Sequence, residues 1–207
     1  MPRADQDALV VIFAKAPVLG TVKTRIAATI GDAAALAVYR RMLWRSTNRL
    51  AQGPWRSALA VTPDASVTGS NDWPDGIDRI PQGGGDLGAR MLRALQPARP
   101  DAPVLVVGSD IPRLAPQHIC QALAALRHSD LVFGPSADGG FYLIGASTPP
   151  PPDIFSAVPW SAPSTLARTM ANCPVPPALI DPLEDFDDMA AFARHRDEPD
   201  WADLLQP

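Results

Sequence analysis

The chain has 207 residues, of which 46% are hydrophobic and 19% are charged, and its formal net charge is -4. This length suits one sizeable hydrophobic core and is short for two full domains, so we expect a single domain over residues 1–207. The acidic balance excludes a general nucleic-acid-binding surface. No apolar run is long enough for a signal peptide or a membrane span. We therefore expect a cytoplasmic protein that binds neither nucleic acid nor membranes.

The first strong pattern is a buried strand followed by a cationic loop. Ala8 to Ala14 is a continuous apolar run, and the loop 15–25 contains Pro17, Gly20 and three cations. Lys and Arg side chains beside backbone N–H groups at the start of a helix favour an anion such as phosphate, although a solvated basic turn is the alternative. The residues predicted to bind nucleotide phosphates here are Lys15, Gly20, Lys23 and Arg25.

Helix and strand patterns then alternate. Asp32 to Gln52 has apolar residues at helical spacing, whereas Ser57 to Thr62 and Ile77 to Ile80 have the composition of strands. This alternation is typical of an α/β protein with a parallel sheet.

A run of three glycines, 83–85, precedes a further helix, which Asp86 is placed to cap. Adjacent glycines cost backbone entropy, and this cost indicates that a ligand approaches the main chain, unless the loop is merely flexible. Gly84, Gly85 and Asp86 therefore join the predicted nucleotide-binding residues.

The central pattern is Val104 to Pro112, in which four apolar residues run into Gly108, Ser109 and Asp110. An unbroken apolar run predicts a strand covered on both faces, and Pro112 ends it because proline donates no ladder hydrogen bond. Asp110 is thereby expected at the carboxyl edge of the sheet, where open α/β sheets bind ligands. Capping of the next helix is the other interpretation of this carboxylate.

A second acid, Asp138, stands between two strand-like runs, 130–135 and 141–145. An Asp-Gly hairpin turn explains it when it is considered alone. Together with Asp110, however, it offers the hard oxygen ligands that Mg²⁺ takes beside substrate phosphates. We therefore predict Asp110 and Asp138 as catalytic residues and as ligands of Mg²⁺ or Mn²⁺.

The remaining features concern the substrate pocket and the C-terminal acids. Trp160 precedes a predicted helix, and its face can stack on a sugar ring, although ordinary packing explains it equally well. The acids at 184–188 are most simply charges at the start of a terminal helix, where the helix dipole favours them. The predicted substrate pocket comprises Gly139, Gly140, Tyr142 and Trp160.

Several motifs follow one another in a characteristic order. They are Phe13-Ala14-Lys15-Ala16-Pro17 with Gly20, Val22-Lys23-Thr24-Arg25, Gly84-Gly85-Asp86-Leu87-Gly88, Gly108-Ser109-Asp110-Ile111-Pro112, Gly134-Pro135 with Asp138-Gly139-Gly140-Phe141-Tyr142-Leu143-Ile144-Gly145, and Pro159-Trp160-Ser161. In this order they resemble the bacterial GT-A-fold glycosyltransferases that include an arsenosugar-biosynthesis group. More distantly, the chain is similar to the 2-phospholactate guanylyltransferases and the molybdenum-cofactor nucleotidyltransferases.

The resemblance implies a nucleotide-diphospho-sugar transferase fold (GT-A, Rossmann-like), which is a single-domain three-layer α/β/α architecture with a mostly parallel sheet. It also implies glycosyl transfer from an NDP-sugar to a small-molecule acceptor with a divalent metal. Because the same fold serves several reactions, nucleotidyl transfer from an NTP is the alternative and a non-catalytic nucleotide-binding module is the third possibility.

The C-terminal pattern of the family is roughly Asp-x-Asp-Thr-Pro-Glu-Asp-Leu. This chain has Leu179 in place of the first acid. The loss argues against a metal-binding role for the segment.

Overall fold

The computed structural model describes residues 7–69, 73–96, 102–195 and 197–204. Within these ranges, seven strands form one sheet in the order β3-β2-β1-β4-β6-β5-β7. The strands are β1 (Leu9–Lys15), β2 (Arg56–Thr62), β3 (Asp78–Pro81), β4 (Val104–Gly108), β5 (Leu131–Pro135), β6 (Phe141–Ala146) and β7 (Ala178–Leu179). The helices are α1 (Thr24–Ile30), α2 (Asp32–Leu50), α3 (Leu87–Ala94), α4 (Pro116–Ala125), α5 (Thr165–Ala171), α6 (Met189–His195) and α7 (Pro199–Ala202), with a 3-10 turn at Asp64–Val67.

All pairings in the sheet are parallel except those of β6, which runs antiparallel to β4 and β5. Successive residues of a strand enter opposite faces, and both faces are covered: Val10 and Ile12 belong to one core cluster and Val11 to the other. This double burial is why β1 and β4 are apolar without alternation. The predicted three-layer α/β/α fold with a mostly parallel sheet is confirmed.

The two core layers contain different helices. One cluster packs α2, α4 and the C-terminal helices against the sheet, and the other packs α3 and the segment around Phe155 against the opposite face. The described residues form no helix with the length and apolar character needed to cross a bilayer.

Residues 180–187, which we call the edge segment, lie extended across the carboxyl ends of β5 and β4. The N–H of Ile180 donates to the carbonyl of Phe133, that of Leu183 donates to Pro135, and that of Phe186 donates to Asp110, each at 3.0 Å. These backbone hydrogen bonds keep the segment out of a helix. The acids at 184–187 therefore precede α6 and do not form its first turn, which corrects our interpretation of them as helix-terminal charges.

Helix α6 begins only after the edge segment. Its start is set by Asp188, whose Oδ1 accepts a hydrogen bond from the N–H of Ala191 at 2.7 Å. The following helix α7 is fixed to α2 by ion pairs of Arg45 with Asp203 and of Arg49 with Asp200. The C-terminal helices thus hold the end of the edge segment against the sheet.

Candidate functional site

Asp110 lies two residues beyond β4, at the predicted edge of the sheet, and contacts a buried lysine. Its Oδ2 accepts a hydrogen bond from Lys23 Nζ at 2.9 Å, and the same ammonium donates to Asp187 Oδ1 at 2.8 Å. The Lys23 side chain is only 7% exposed. Burial disfavours its charge, but attraction from Asp110 and Asp187 outweighs burial, so the pKa of Lys23 is raised.

Two further carboxylates complete an acidic cluster with Asp110 and Asp187. Asp138 Oδ1 accepts the N–H of Gly140 at 2.8 Å, and Asp185 Oδ1 accepts the hydroxyl of Ser136 at 3.3 Å. Burial, and then repulsion from Asp187, Asp110 and Asp138, raises the pKa of Asp185 to about 7. Four carboxylates therefore lie near the one buried ammonium of Lys23.

The pKa of Asp187 is displaced in the opposite direction. Burial raises it, but the adjacent Lys23 ammonium has the larger combined effect, and the pKa is lowered. The pKa values of these two acids are thus displaced in opposite directions, because Asp187 contacts the lysine and is also hydrogen-bonded to Asp185.

The Asp185→Asn variant is expected to stabilise the metal-free protein at high pH. The pKa of Asp185 is higher in the folded protein than in the unfolded chain, so the free energy of unfolding falls as pH rises from about 4 to about 7. The amide of asparagine carries no charge, so the loss of stability caused by ionisation of Asp185 does not occur in the variant. Thermal unfolding in EDTA should give similar stabilities for variant and wild type at pH 4 and a more stable variant at pH 8. Equal differences at both pH values would contradict the assignment.

Two cavities meet at Asp110. The aromatic cavity, of about 220 Å³, has apolar walls and three of the acids; its residues include Phe13, Leu87, Met91, Phe141, Trp160, Asp110, Asp138 and Asp185. The cationic cavity lies on the other side; its residues include Lys15, Thr21, Lys23, Thr24, Arg25, Tyr39, Ser109 and Asp187. A ligand with an anionic part and an apolar or ring-shaped part could occupy both.

The predicted phosphate-binding loop forms much of the cationic cavity. Lys15 Nζ donates to the carbonyl of Thr21 at 2.7 Å and so closes the loop, in which Gly20 adopts φ 73°. Lys23 contacts carboxylates, whereas Arg25 is exposed beside the acidic cluster. The loop therefore places the three predicted cations together, and their role in phosphate binding stays a prediction.

The glycine loop borders the site without lining either cavity. Asp86 accepts the N–H of Ala89 at 2.8 Å, which confirms the predicted cap of α3. The buried amide of Gln82 donates to the carbonyls of Ala14 and Ala60, which places the loop beside the ends of β1 and β2. Gly84 and Gly85 are exposed next to it, and ligand contact with them stays a prediction.

The predicted substrate-pocket residues fall into two groups. Gly140, Tyr142 and Trp160 line the aromatic cavity, and Trp160 packs on Phe155 with ring centroids 5.6 Å apart. Tyr142 is otherwise a buried core residue, and its hydroxyl donates to the carbonyl of Asp181 at 2.9 Å.

Gly139 supports the cavity without being one of its lining residues. It adopts φ 87°, and a Cβ there would lie 2.1 Å from the carbonyl oxygen of Pro163. Only glycine permits this close approach between the β5–β6 turn and the segment that follows Trp160.

Our sequence interpretation did not place Asp185 and Asp187 in the site. One signal was available for Asp185, which occupies the last acidic position of the C-terminal family pattern. Nothing local indicated that Asp187 would pair with Lys23, because 164 positions separate the two residues in the chain.

The carboxylates of the acidic cluster meet the requirements of a divalent cation only in part. Among the described residues, no three carboxylate, imidazole or thiol groups are close enough to form a complete metal site. Mg²⁺ ordinarily takes only one or two carboxylates and completes its shell with waters and substrate phosphates. The acidic cluster beside the cationic cavity therefore fits a cation that is bound jointly by the protein and by phosphates.

Comparisons with known proteins agree with this fold. A family model described as "Uncharacterized protein conserved in bacteria (DUF2064)" matches residues 46–162. A proposed nucleotide-diphospho-sugar transferase from Desulfovibrio desulfuricans G20 is 27% identical, with a TM-score of 0.81 and coverage of 97% of this chain and 94% of that chain. No curated protein matches the sequence.

Two more distant structures share the fold alone. The Rv0371c homologue from Mycobacterium sp. strain JC1 is 13% identical, covers 97% of this chain and 98% of that chain, and has a TM-score of 0.56. A CMP:2-keto-3-deoxy-manno-octonic acid synthetase solved with CTP is 14% identical, with a TM-score of 0.52 and coverage of 91% of this chain and 96% of that chain. A synthetase that was solved with CTP is thus among the proteins with this architecture.

Proposed function

Since the chain belongs to the bacterial DUF2064 family, we propose for it the activity of a nucleotide-dependent transferase that moves a glycosyl group from an NDP-sugar to a small-molecule acceptor. The observation that carries the proposal is the meeting of the cationic and aromatic cavities at Asp110. A donor's diphosphate and sugar need these two environments on either side of one carboxylate.

The nucleotide part of the donor is assigned to the cationic side. Lys15, Lys23 and Arg25 bind the diphosphate, with Gly20 allowing the loop to turn around it. Charge-assisted hydrogen bonds of this kind stabilise the negative charge that grows on the diphosphate as the glycosyl bond breaks. The glycine loop is assigned to the nucleoside; its proposed contacts are Gly84, Gly85 and Asp86.

The acids and the aromatic wall are assigned to the reacting end. Asp110 and Asp138 are the proposed catalytic pair and would hold Mg²⁺ or Mn²⁺, with Asp185 beside them. When bound, such a cation neutralises charge on the leaving diphosphate. Gly140 and Trp160 would enclose the sugar, because an aromatic face and carboxylates suit a ring with hydroxyl groups.

Nucleotidyl transfer is the second candidate. One observation favours it: the cationic cavity brings three positive side chains together, which suits the triphosphate of an NTP. In that reaction the acceptor attacks the α-phosphorus and pyrophosphate leaves, so the same cations would stabilise a different leaving group.

Product analysis separates the candidates. The protein is incubated with pooled nucleoside triphosphates and NDP-sugars plus Mn²⁺, with a parallel sample in EDTA, and products are identified by mass. Slow hydrolysis of an NDP-sugar is the expected result even without the acceptor, because water then takes the glycosyl group and NDP and free sugar are released. Pyrophosphate release with every NDP-sugar intact would favour nucleotidyl transfer, and binding without turnover of either would favour a non-catalytic module.

The Trp160→Ala variant is expected to weaken NDP-sugar binding more than binding of the bare NDP. Loss of an aromatic contact costs about 0.5–1.5 kcal/mol, which is roughly two- to twelvefold in affinity, and the bare nucleotide makes no contact with the sugar subsite. Calorimetry with both ligands measures the difference, and Trp160→Phe should retain most of the sugar affinity. Equal losses for the two ligands would place Trp160 outside the sugar subsite.

A further inference from the structure

The position of the Lys23 ammonium is the starting point. It lies between Asp110 Oδ2 and Asp187 Oδ1, at 2.9 and 2.8 Å, and its side chain is almost fully buried. The three residues come from separate parts of the chain, so the arrangement is produced by the tertiary fold. A single positive charge thus already occupies the space between two acids of the cluster.

The backbone holds this arrangement in place. Lys23 precedes α1 in the left-handed region, with φ 48° and ψ 44°, which is uncommon for a residue with a side chain. On the opposite side, the carbonyl of Asp110 accepts the N–H of Phe186, which fixes the edge segment beside it. Both carboxylates therefore face the ammonium from anchored main chain.

An ammonium at this position competes with a metal ion. Mg²⁺ binds a carboxylate oxygen at about 2.0–2.1 Å, and Asp110 Oδ2 already accepts a hydrogen bond from Lys23. Two cations on one carboxylate group repel each other strongly in a partly buried site. Occupation of Asp110 Oδ2 by a divalent cation thus requires the ammonium to move, and a cation bound at Oδ1 is still repelled by the adjacent ammonium.

The cationic cavity offers the ammonium a second set of acceptors once phosphates are present. Lys23 lines that cavity together with Lys15 and Arg25. We propose that Lys23 is a built-in counter-ion that keeps divalent cations off Asp110 in the free protein and releases the carboxylate when substrate phosphates take the ammonium. The inference rests on the proposed function, since it describes how the same site acquires its metal together with a nucleotide.

The test measures binding of Mn²⁺ alone to the nucleotide-free protein, through loss of the electron paramagnetic resonance signal of aqueous Mn²⁺. Wild type is expected to bind weakly, and Lys23→Met is expected to bind at least about tenfold more tightly. Lys15→Met is the matched control, because it removes the same charge from the same cavity. The ammonium of Lys15 donates to the carbonyl of Thr21 and not to a carboxylate. That control leaves the Lys23 ammonium on Asp110, so it should bind Mn²⁺ clearly less tightly than Lys23→Met.

Equal Mn²⁺ affinities for Lys23→Met and Lys15→Met would overturn the proposal, as would a micromolar Mn²⁺ site in wild type. Lys23→Gln provides a second variant, and thermal unfolding establishes that each variant is folded. If neither Lys23 variant folds, a micromolar Mn²⁺ site in wild type still overturns the proposal. The Mn²⁺ affinities do not depend on turnover, so a failed transfer assay would not contradict the role of Lys23. Conversely, Mn²⁺ affinities that do not change with Lys23 would contradict that role without contradicting the transfer reaction.

Discussion

Turnover of the Asp110→Asn variant is expected to fall by about 10²- to 10³-fold, the usual cost of losing one electrostatic group at a reacting centre. Asp110 stands where the two cavities meet and faces the phosphate-binding loop, so its charge acts on both parts of the donor. An amide is nearly isosteric, but it is a poor ligand for a hard cation and gives Lys23 a weaker partner. The rate of NDP release in the product assay measures the effect.

Asp130→Asn provides the matched control for this substitution. Asp130 is exposed just before β5, at the opposite edge of the sheet from Asp110. The control should retain wild-type turnover, since it makes the same chemical change far from the site. Near wild-type activity of Asp110→Asn would remove this carboxylate from the proposed mechanism.

Phe186→Ala is expected to lower the free energy of unfolding by about 3–5 kcal/mol, as is typical when a fully buried aromatic side chain is truncated. Phe186 is 0% exposed and packs against Phe192 and Trp201, with ring centroids 5.6 and 5.2 Å away. It also lies between Asp185 and Asp187, so loss of its packing should loosen both acids and reduce turnover. Urea unfolding at constant pH measures the stability.

The Phe186→Leu variant tests whether the loss of stability comes from the lost packing volume or follows any substitution at this position. Leucine retains much of the buried volume, so its loss of stability should be clearly smaller than that of alanine. A destabilisation of less than about 1 kcal/mol in Phe186→Ala would show that the edge segment is anchored mainly by its backbone hydrogen bonds.

The fold could be predicted from sequence because its determinants are local. Unbroken apolar runs in β1 and β4 reflect burial on both faces, and Pro112 ends the central strand close to Asp110. Turn chemistry likewise revealed the cap at Asp86. Each of these signals lies within a few residues of the feature that it determines.

The acidic cluster could be predicted only in part because it depends on long-range pairing. Asp185 and Asp187 reach Asp110 through backbone hydrogen bonds of the edge segment to strands about 50 to 75 positions earlier in the chain. No pattern in the neighbouring sequence indicates such pairing. Acids just before a helix are already explained by the helix dipole, which favours negative charge there. The partners of Lys23 were missed for the same reason.

The late position of the edge segment in the chain affects the order in which the protein matures. A ribosome delivers residues from the N-terminus, so β1 to β6 and the cationic loop emerge well before 180–187, which cannot dock until β5 exists. A nascent chain therefore contains Asp110 and Lys23 without Asp187 or Asp185. We expect the proposed site to be completed in one late event, when the edge segment docks on the part of the sheet that β1 to β6 have already formed.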